Sequence, residues 1–147
     1  MKVRPSIAII ENNNLLLMRY CYGNTNIYNL PGGNVDKGET LTQTVVRELW
    51  EELRIEVEVG KMILSGDVLM SEGKEDVLHC IFEGKIIAGK PVLNPQETSA
   101  LAVVWMPLID LNNLEMYPNV GAELQHFFLK EHGINYMGKI EQKWFQG

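Results

Sequence analysis

Residues 33–55 read GNVDKGETLTQTVVRELWEELRI and directly follow Leu30-Pro31-Gly32. The first part contains paired glycines after a proline, a composition that lets the backbone turn sharply and approach a ligand closely. The second part predicts a helix, because Thr40 and Gln43 have the spacing of a capping box. Apolar residues recur on one face of this helix at i, i+4 and i+8: Leu41, Val45 and Leu49. The stretch therefore predicts a glycine loop that leads into a helix packed on a core.

Acidic side chains cluster on another face of the predicted helix. Glu48 and Glu52 are one turn apart, Glu51 lies beside them, and Arg47 is placed to pair with Glu51. Glu39 precedes the helix, where its carboxylate can turn back toward the same place. Crowded carboxylates repel one another unless a cation lies among them, and Mg²⁺ prefers oxygen ligands together with water and substrate phosphates. The helix alone leaves two interpretations open, a solvated acidic face or a divalent metal site.

Loop and helix together resemble the signature of the Nudix hydrolases: Gly, five residues, Glu, seven residues, then Arg-Glu-aliphatic-any-Glu-Glu-any-Gly-aliphatic. The matching residues are Gly33, Glu39, Arg47, Glu48, Leu49, Glu51, Glu52 and Ile55. Arg54 departs from the pattern, since the family has glycine there. A non-glycine residue in a left-handed helix end costs about 1 kcal/mol. The departure puts the helix end in question rather than the carboxylates, which all lie upstream.

The resemblance implies a fold and a reaction. The expected fold is α+β, a Nudix-type α/β/α sandwich with a mixed β-sheet between helices, formed by residues 1–147 as a single Nudix hydrolase domain. The expected activity is that of a metal-dependent pyrophosphatase, a hydrolase acting on phosphorus-containing acid anhydrides. It would cleave the diphosphate linkage of a nucleoside diphosphate joined to another group X.

The resemblance also implies roles for individual residues. The expected metal ligands are Glu48, Glu52, Glu51 and the backbone carbonyl of Gly32; the expected catalytic residues are Glu51, Glu48 and Arg47; and the expected supporting residues are Gly33 and Glu39. The expected cofactor is Mg²⁺, or alternatively Mn²⁺, because a bound cation neutralises the diphosphate and lowers the pKa of a water. A carboxylate then takes the remaining proton. Glu51 is expected either as a further ligand or as this base.

Residues outside the signature carry weaker signals. Glu97 lies in a polar loop, where it is expected either as a further metal ligand or base, or as a surface charge. Tyr22 and Tyr28 could stack on a base, and Arg19 could contact substrate, although a surface charge is favoured. No motif specifies a partner for His79, so a core or edge histidine is predicted there.

The remaining pattern predicts alternating short strands and one further helix. The predicted elements are a hairpin of residues 6–10 and 15–20, a flexible loop at 22–27, strands at 55–59, 62–70, 77–87 and 100–107, a short helical piece at 108–117 and a helix at 120–132. Gly133 is predicted to cap that last helix. Trp144 and Phe145 are predicted either to dock on the body or to form a subunit contact.

The composition of the chain limits the class of protein it can be and the cellular compartment expected for it. The chain is 46% hydrophobic and 22% charged, as in soluble globular proteins, and its net charge of −6 argues against a nucleic-acid-binding surface. Cys21 and Cys80 form no CxxC pattern, so each is expected as a free buried thiol. The sequence contains neither a membrane-length apolar run nor a signal-peptide pattern. We therefore expect a cytoplasmic enzyme whose partner is a small nucleotide, with a homodimer left open.

Two alternatives compete with this interpretation. A Nudix-like module that senses nucleotides without cleaving them would be expected to lose the metal-binding glutamates, which are all present. An isomerase resembling the isopentenyl diphosphate isomerases would need a catalytic cysteine, and no such motif surrounds Cys21 or Cys80. The hydrolase is therefore favoured. The identity of the group X is not specified by the sequence. The candidate substrates are nucleoside triphosphates, ADP-ribose and other nucleotide sugars.

Overall fold

The computed structural model describes residues 1–130, 133 and 135–144. The strands are β1 (Lys2–Glu11), β2 (Asn14–Tyr22), β3 (Thr25–Asn29), β4 (Glu56–Val68), β5 (Val77–Ala88), β6 (Ala102–Pro107), β7 (Met116–Tyr117) and β8 (Tyr136–Lys139). The helices are α1 (Leu41–Leu53) and α2 (Gly121–Leu129), and a 3-10 helix covers Leu108–Asn113. Within the described ranges, no helix has the length and apolar character needed to cross a bilayer.

The strands form one mixed sheet that opens in its middle. The order is β7-β3-β2-β1-β5-β4-β8, and β6 pairs with β2. β1 pairs in parallel with β5 along Lys2–Ile9, but it pairs with β2 only at its last two residues, Ile10 and Glu11. The two strands therefore diverge away from their hairpin turn. The loop after β3 enters this opening, where the N–H of Gly33 donates to the carbonyl of Pro5 over 3.2 Å.

Apolar clusters cover both faces of the sheet. Side chains alternate along β2, so Leu16 and Met18 pack with α1 while Leu15 and Leu17 pack on the opposite side. The cluster with α1 includes Ile7, Ile9, Val45, Leu49, Leu53 and Phe82. The opposite cluster includes Ile63, Leu64, Ile81, Leu111, Leu124 and Phe127. This layering confirms the predicted α+β, sandwich-like architecture with a mixed sheet between helices.

The signature helix forms as its sequence predicts. The N–H of Gln43 donates to Oγ1 of Thr40 over 3.1 Å, and the N–H of Thr40 donates to Oε1 of Gln43 over 2.9 Å, which confirms the capping box. The helix ends at Leu53. Arg54 then adopts the left-handed conformation, with φ 57° and ψ 34°. Its guanidinium lies 5.3 Å from the ring centroid of Trp50, an attractive arrangement that offsets part of the backbone strain.

Two predicted boundaries in the strands were wrong. The segment 22–27 is no flexible loop, because a tight turn at Gly23 (φ 63°) joins β2 to β3 and the two strands pair from Met18–Asn29 to Tyr22–Thr25. The strands predicted at 55–59 and 62–70 are one strand, β4. β4 keeps its pairing with β5 through local irregularities around Gly60 and Lys61, where the polar sequence had suggested a break.

Two further predictions need correction. α2 ends at Leu129 with Lys130 as its C-cap, so Gly133 does not cap it. The last buried side chain of α2 is Phe127. The thiol of Cys80 is buried as predicted, whereas Cys21 is exposed and its Sγ donates to the carbonyl of Gly23. The prediction for Phe145 lies outside the described residues.

Candidate active site

A polar cleft of about 440 Å³ lies where the sheet opens. Its walls come from segments far apart in the sequence: Arg4 on β1, Tyr20 on β2, residues 32–34 and Asp36 of the glycine loop, Glu48 and Glu52 on α1, and residues 97–99 ahead of β6. Four of the lining side chains are carboxylates: Asp36, Glu48, Glu52 and Glu97. Arg4 is the one basic residue among those that line it. The cleft thus combines clustered negative charge with a single cation.

Glu48 and Glu52 form the acidic centre of the cleft. They lie one helical turn apart on α1, and their carboxyl groups share a hydrogen bond. Burial, followed by the hydrogen bond and the negative charge of Glu48, raises the pKa of Glu52 to about 8. Two carboxyls in one site favour a shared proton because two adjacent negative charges repel. A divalent cation at the same place would neutralise both.

The donor set of this pair fits magnesium or manganese. Carboxylate oxygens are the ligands these hard cations prefer, and Mg²⁺ is commonly held by one or two carboxylates together with water and substrate phosphates. In the part of the chain that the structure describes, no group of three or more His, Cys, Asp or Glu side chains is placed to hold a metal ion, so the pair would rely on other ligands. The open volume beside Glu48 and Glu52 leaves room for the waters and phosphates that would complete the coordination.

Arg47 connects the helix carboxylates to the loop. Its Nε and Nη2 donate to the two carboxylate oxygens of Glu39 over 2.7 and 3.0 Å. Its Nη1 donates to Glu48 over 2.9 Å and to Glu51 over 3.2 Å, and its Nη2 also reaches the carbonyl of Asn34 over 3.0 Å. These charge-assisted bonds raise the pKa of Arg47 further above its usual range. Arg47 therefore fixes the side chain of Glu48 relative to the loop.

Glu39 holds the loop against the start of the helix. The paired bonds from Arg47 are the main reason that the pKa of Glu39 falls to about 2, and the N–H of Asp36 is the second cause. The N–H of Asp36 donates to Oε1 of Glu39 over 3.0 Å, and the hydroxyl of Thr44 donates to the same oxygen over 2.9 Å. Glu39 does not line the cleft, so the structure gives it a supporting position.

Gly32 and Gly33 are needed because other atoms occupy the space of their missing side chains. A Cβ on Gly32 would lie 2.3 Å from the carbonyl oxygen of Pro5, in the strand that the loop crosses. A Cβ on Gly33 would lie 2.3 Å from Cδ and 2.5 Å from Oε1 of Glu48. The glycines thus let the loop lie directly against β1 and against the carboxylate of Glu48.

The loop that carries Glu97 is fastened to the end of α1. The backbone N–H of Asn94 donates to the carbonyl of Glu52 over 2.9 Å, and its side-chain amide donates to the carbonyl of Glu51 over 3.0 Å. These are carbonyls of the last helical turn, which have no partner within the helix. Glu97 and Thr98 follow in a turn whose N–H groups both donate to the carbonyl of Asn94. The loop thereby brings Glu97 to the wall of the cleft.

Comparison with known proteins identifies the family. Residues 1–127 match the NUDIX domain. The chain belongs to the Nudix family. This Nudix chain is a hydrolase of the pyrophosphatase type, as its signature predicts. A comparison with curated proteins gave no match.

Solved structures share the fold. A MutT Nudix hydrolase from Burkholderia pseudomallei is 28% identical over 75% of this chain and 85% of its own, with a TM-score of 0.65. An ADP-ribose pyrophosphatase from Streptococcus suis is 20% identical over 92% and 98% of the two chains, with a TM-score of 0.66. The MutT protein from Methanosarcina mazei is 23% identical over 88% and 96%, with a TM-score of 0.72.

The structure does not bring every candidate residue of this Nudix chain to the cleft. Arg19 and Tyr28 are paired across β2 and β3, and Tyr28 packs on the cluster opposite α1, away from the acidic centre. Tyr22 lies beyond the cleft in an adjoining pocket. The carboxylate of Glu51 accepts from Arg47 and does not line the cleft. His79 is fully buried, in agreement with the predicted core histidine.

Sequence reasoning missed Arg4 and gave no individual role to Asn94 and Thr98, which shape the Nudix cleft together with Tyr20. The hydroxyl groups of Tyr20 and Thr98 lie 3.3 Å apart, which joins β2 to the loop of Glu97. Strand alternation with Leu16 and Met18 could have placed Tyr20 on the helix side of the sheet. No comparable signal marks Arg4 or Asn94, whose neighbours in the cleft come from remote parts of the chain.

Proposed function

We propose that the chain is a metal-dependent pyrophosphohydrolase that cleaves the diphosphate linkage of a nucleoside diphosphate joined to a group X. The observation that carries this proposal is the Glu48–Glu52 pair, which Arg47 holds at the wall of an open cleft. The names of the similar structures, which include MutT proteins and an ADP-ribose pyrophosphatase, support a small nucleotide as the substrate. A nucleoside triphosphate or an ADP-ribose-like compound fits these names, and a nucleotide sugar is the third class. We propose the cytoplasm as the place of action.

In this proposal some residues bind the metal ion and Arg47 positions one of them. Glu48 and Glu52 hold Mg²⁺ or Mn²⁺, and the carbonyl of Gly32 serves as a further ligand. When bound, the cation neutralises the diphosphate and lowers the pKa of a water molecule. Arg47 keeps Glu48 oriented through the bond of 2.9 Å, which is a positioning role. Positioning and charge neutralisation supply most of the catalysis in phosphoryl transfer.

The general base in the proposed reaction is a carboxylate at the cleft. Glu97 is exposed and lines the cleft, so its oxygens can accept a proton from a water bound there. Glu51 accepts a hydrogen bond from Arg47, which lowers the availability of one of its oxygens. We therefore propose Glu97 as the base, since the carboxylate of Glu51 does not line the cleft.

The replacement Glu52→Gln tests the proposal. Glutamine has nearly the same size, so the fold is kept, but one negative charge of the acidic pair is removed. We expect a fall of at least about 100-fold in the metal-dependent rate, equivalent to about 2.7 kcal/mol of barrier. The measurement is phosphate release from nucleoside triphosphates, dinucleoside polyphosphates, ADP-ribose and nucleotide sugars, each with and without Mg²⁺ or Mn²⁺.

The matched control is Glu56→Gln, because Glu56 is an exposed glutamate at the start of β4 outside the cleft. It removes the same charge and should leave the rate unchanged. Near-wild-type turnover of Glu52→Gln would remove Glu52 from the metal site. No turnover of any compound by the wild type, with tight metal-independent binding of one of them, would instead support a nucleotide sensor.

A further inference from the structure

Two hydroxyl groups meet at the wall of the cleft, those of Tyr20 and Thr98. Both residues line the cleft together with Glu52, and the two hydroxyl oxygens lie 3.3 Å apart. Tyr20 belongs to β2 and Thr98 to the loop ahead of β6, so the contact joins two remote segments of the chain. Neither residue belongs to the signature, and the proposed reaction gives neither of them a role.

The backbone of Thr98 is fastened to the end of α1. The N–H of Thr98 donates to the carbonyl of Asn94 over 3.0 Å, and the N–H of Asn94 donates to the carbonyl of Glu52 over 2.9 Å. The side-chain amide of Asn94 also donates to the carbonyl of Glu51 over 3.0 Å. Two consecutive backbone bonds therefore tie Thr98 to the helical turn that carries Glu52.

The hydrogen bonds of the Thr98 hydroxyl leave its proton available. A threonine hydroxyl has one proton to donate and two lone pairs with which to accept. The N–H of Ala100 donates to Oγ1 of Thr98 over 3.1 Å, which uses one lone pair. The hydroxyl of Tyr20 can use the second lone pair. Burial raises the pKa of Tyr20, so its phenol keeps the proton that it donates. The proton of Thr98 is then left for a third partner.

The third partner of Thr98 is the carboxyl group of Glu52. Burial and Glu48 raise the pKa of Glu52, and a side-chain hydrogen bond from Thr98 opposes that rise because it favours the ionised carboxyl group. An ionised carboxylate only accepts hydrogen bonds. When Glu52 is ionised, Thr98 must therefore be the donor to Glu52, and Tyr20 must be the donor to Thr98. The three side chains form a directed chain of hydrogen bonds from Tyr20 through Thr98 to Glu52.

We propose that Thr98, oriented by Tyr20, is a positioning residue that holds one carboxylate oxygen of Glu52 so that the other oxygen faces the metal ion. This inference rests on the proposed function, in which Glu52 is a metal ligand. Ligating carboxylates are themselves hydrogen-bonded, and loss of such a partner costs about 10- to 100-fold in metal affinity or activity. Glu48 has a partner of this kind in Arg47. The proposal gives Glu52 the corresponding partner from outside the signature.

Binding of Mn²⁺ in the absence of substrate tests the proposal without any turnover. Free Mn²⁺ is measured by electron paramagnetic resonance as each purified protein is titrated. Thr98→Val keeps the shape of the side chain and removes the hydroxyl, so we expect Mn²⁺ affinity to fall about tenfold or more. Thr98→Ser keeps the hydroxyl and should bind Mn²⁺ nearly as the wild type does. Tyr20→Phe should lower the affinity about twofold to tenfold, the range of a neutral hydrogen bond.

Kinetics separate a positioning role from a general disturbance of the loop. At saturating Mn²⁺, Thr98→Val should recover most of the wild-type kcat, because the metal ion then occupies its site. A loop that merely displaced Glu97 would lower kcat at every Mn²⁺ concentration and leave Mn²⁺ affinity unchanged. The matched control is Thr25→Val, since Thr25 is a half-buried threonine at the start of β3 that does not line the cleft. It should change neither Mn²⁺ affinity nor kcat.

Two results would overturn the proposal. One is unchanged Mn²⁺ affinity in Thr98→Val and Tyr20→Phe while Glu52→Gln loses affinity, which would leave the proposed function intact. The other is an equal loss in Thr98→Ser and Thr98→Val, because the hydroxyl is then not the group that matters. Thermal unfolding shows whether each variant is folded, and Tyr20→Phe decides the question if Thr98→Val is not. Failure of the proposed function is distinguishable, since Glu52→Gln would then bind Mn²⁺ as tightly as the wild type.

Discussion

Replacing Gly33 by alanine tests whether the position of Glu48 governs activity. A Cβ at Gly33 would lie 2.3 Å from Cδ, 2.5 Å from Oε1 and 2.7 Å from Cγ of Glu48. Non-bonded carbon atoms normally approach to about 3.5–4.0 Å, so the carboxyl group has to move by about 1 Å or more. That movement breaks the bond of 2.9 Å from Nη1 of Arg47 and carries Glu48 away from Glu52.

The expected loss is large for catalysis and small for stability. A displacement of about 1 Å in a catalytic group can reduce the rate by about 100-fold, which corresponds to about 2.7 kcal/mol of barrier. Stability should fall by no more than about 1 kcal/mol, because the atoms that clash belong to the end of a flexible side chain. The backbone of Gly33 is also outside the left-handed region, so alanine causes no backbone strain there.

The assay is kcat/KM for metal-dependent phosphate release from the best substrate, together with urea unfolding of the same preparations. Gly73→Ala is the matched control, since Gly73 has φ +87° and no atom within 4 Å of an added Cβ. It should lower stability through backbone strain and leave kcat/KM unchanged. Folded Gly33→Ala enzyme that keeps activity within about threefold of the wild type would refute the reasoning.

Three further changes have definite expected outcomes. Arg47→Lys should lower kcat/KM by at least about tenfold and stability by about 1–2 kcal/mol, because an ammonium cannot replace the paired bonds to Glu39; kinetics and urea unfolding check both. Burial, aided by nearby Arg4 and Lys2, lowers the pKa of His79 to about 3. The unfolded chain therefore binds a further proton at this histidine below pH ~6.5. Between pH 7 and pH 5 the wild type should lose about 2 kcal/mol of unfolding free energy relative to His79→Phe, because the contributions of other groups, such as Glu52, cancel in that difference. Arg54→Gly should be nearly neutral in thermal unfolding, because relief of left-handed strain is offset by lost contact with the Trp50 ring and by greater chain entropy, whereas Arg54→Ala should destabilise by about 0.5–1 kcal/mol.

The signature region could be predicted from sequence because its interactions are local. The capping box of Thr40 and Gln43 spans three residues, and Arg47 meets Glu39, Glu48 and Glu51 within eight residues of itself. Helix geometry alone brings such neighbours together. The left-handed end at Arg54 also follows from the place of glycine in the family pattern. These contacts can therefore be predicted from the sequence of this stretch alone.

The errors in the strands arise where pairing overrides composition. Residues 22–27 are polar and glycine-containing, yet β3 forms because β2 supplies its hydrogen bonds. Gly60 and Lys61 look like a break, but β5 carries the pairing past them. The strand propensity of one segment does not show whether a neighbouring strand will pair with it.

One wall of the cleft is determined by local sequence, and another is determined by tertiary structure. Its acidic wall comes from one helix, but the opposing wall depends on the early separation of β1 from β2, which pair only at Ile10 and Glu11. If the two strands paired along their whole length, the loop of Gly33 could not reach Pro5, and Arg4 would have no open space beside it. The signature therefore specifies the chemistry of the diphosphate, while the opening of the sheet determines which phosphate-bearing groups can reach it. Substitutions on β1 should consequently change substrate preference more than they change metal binding.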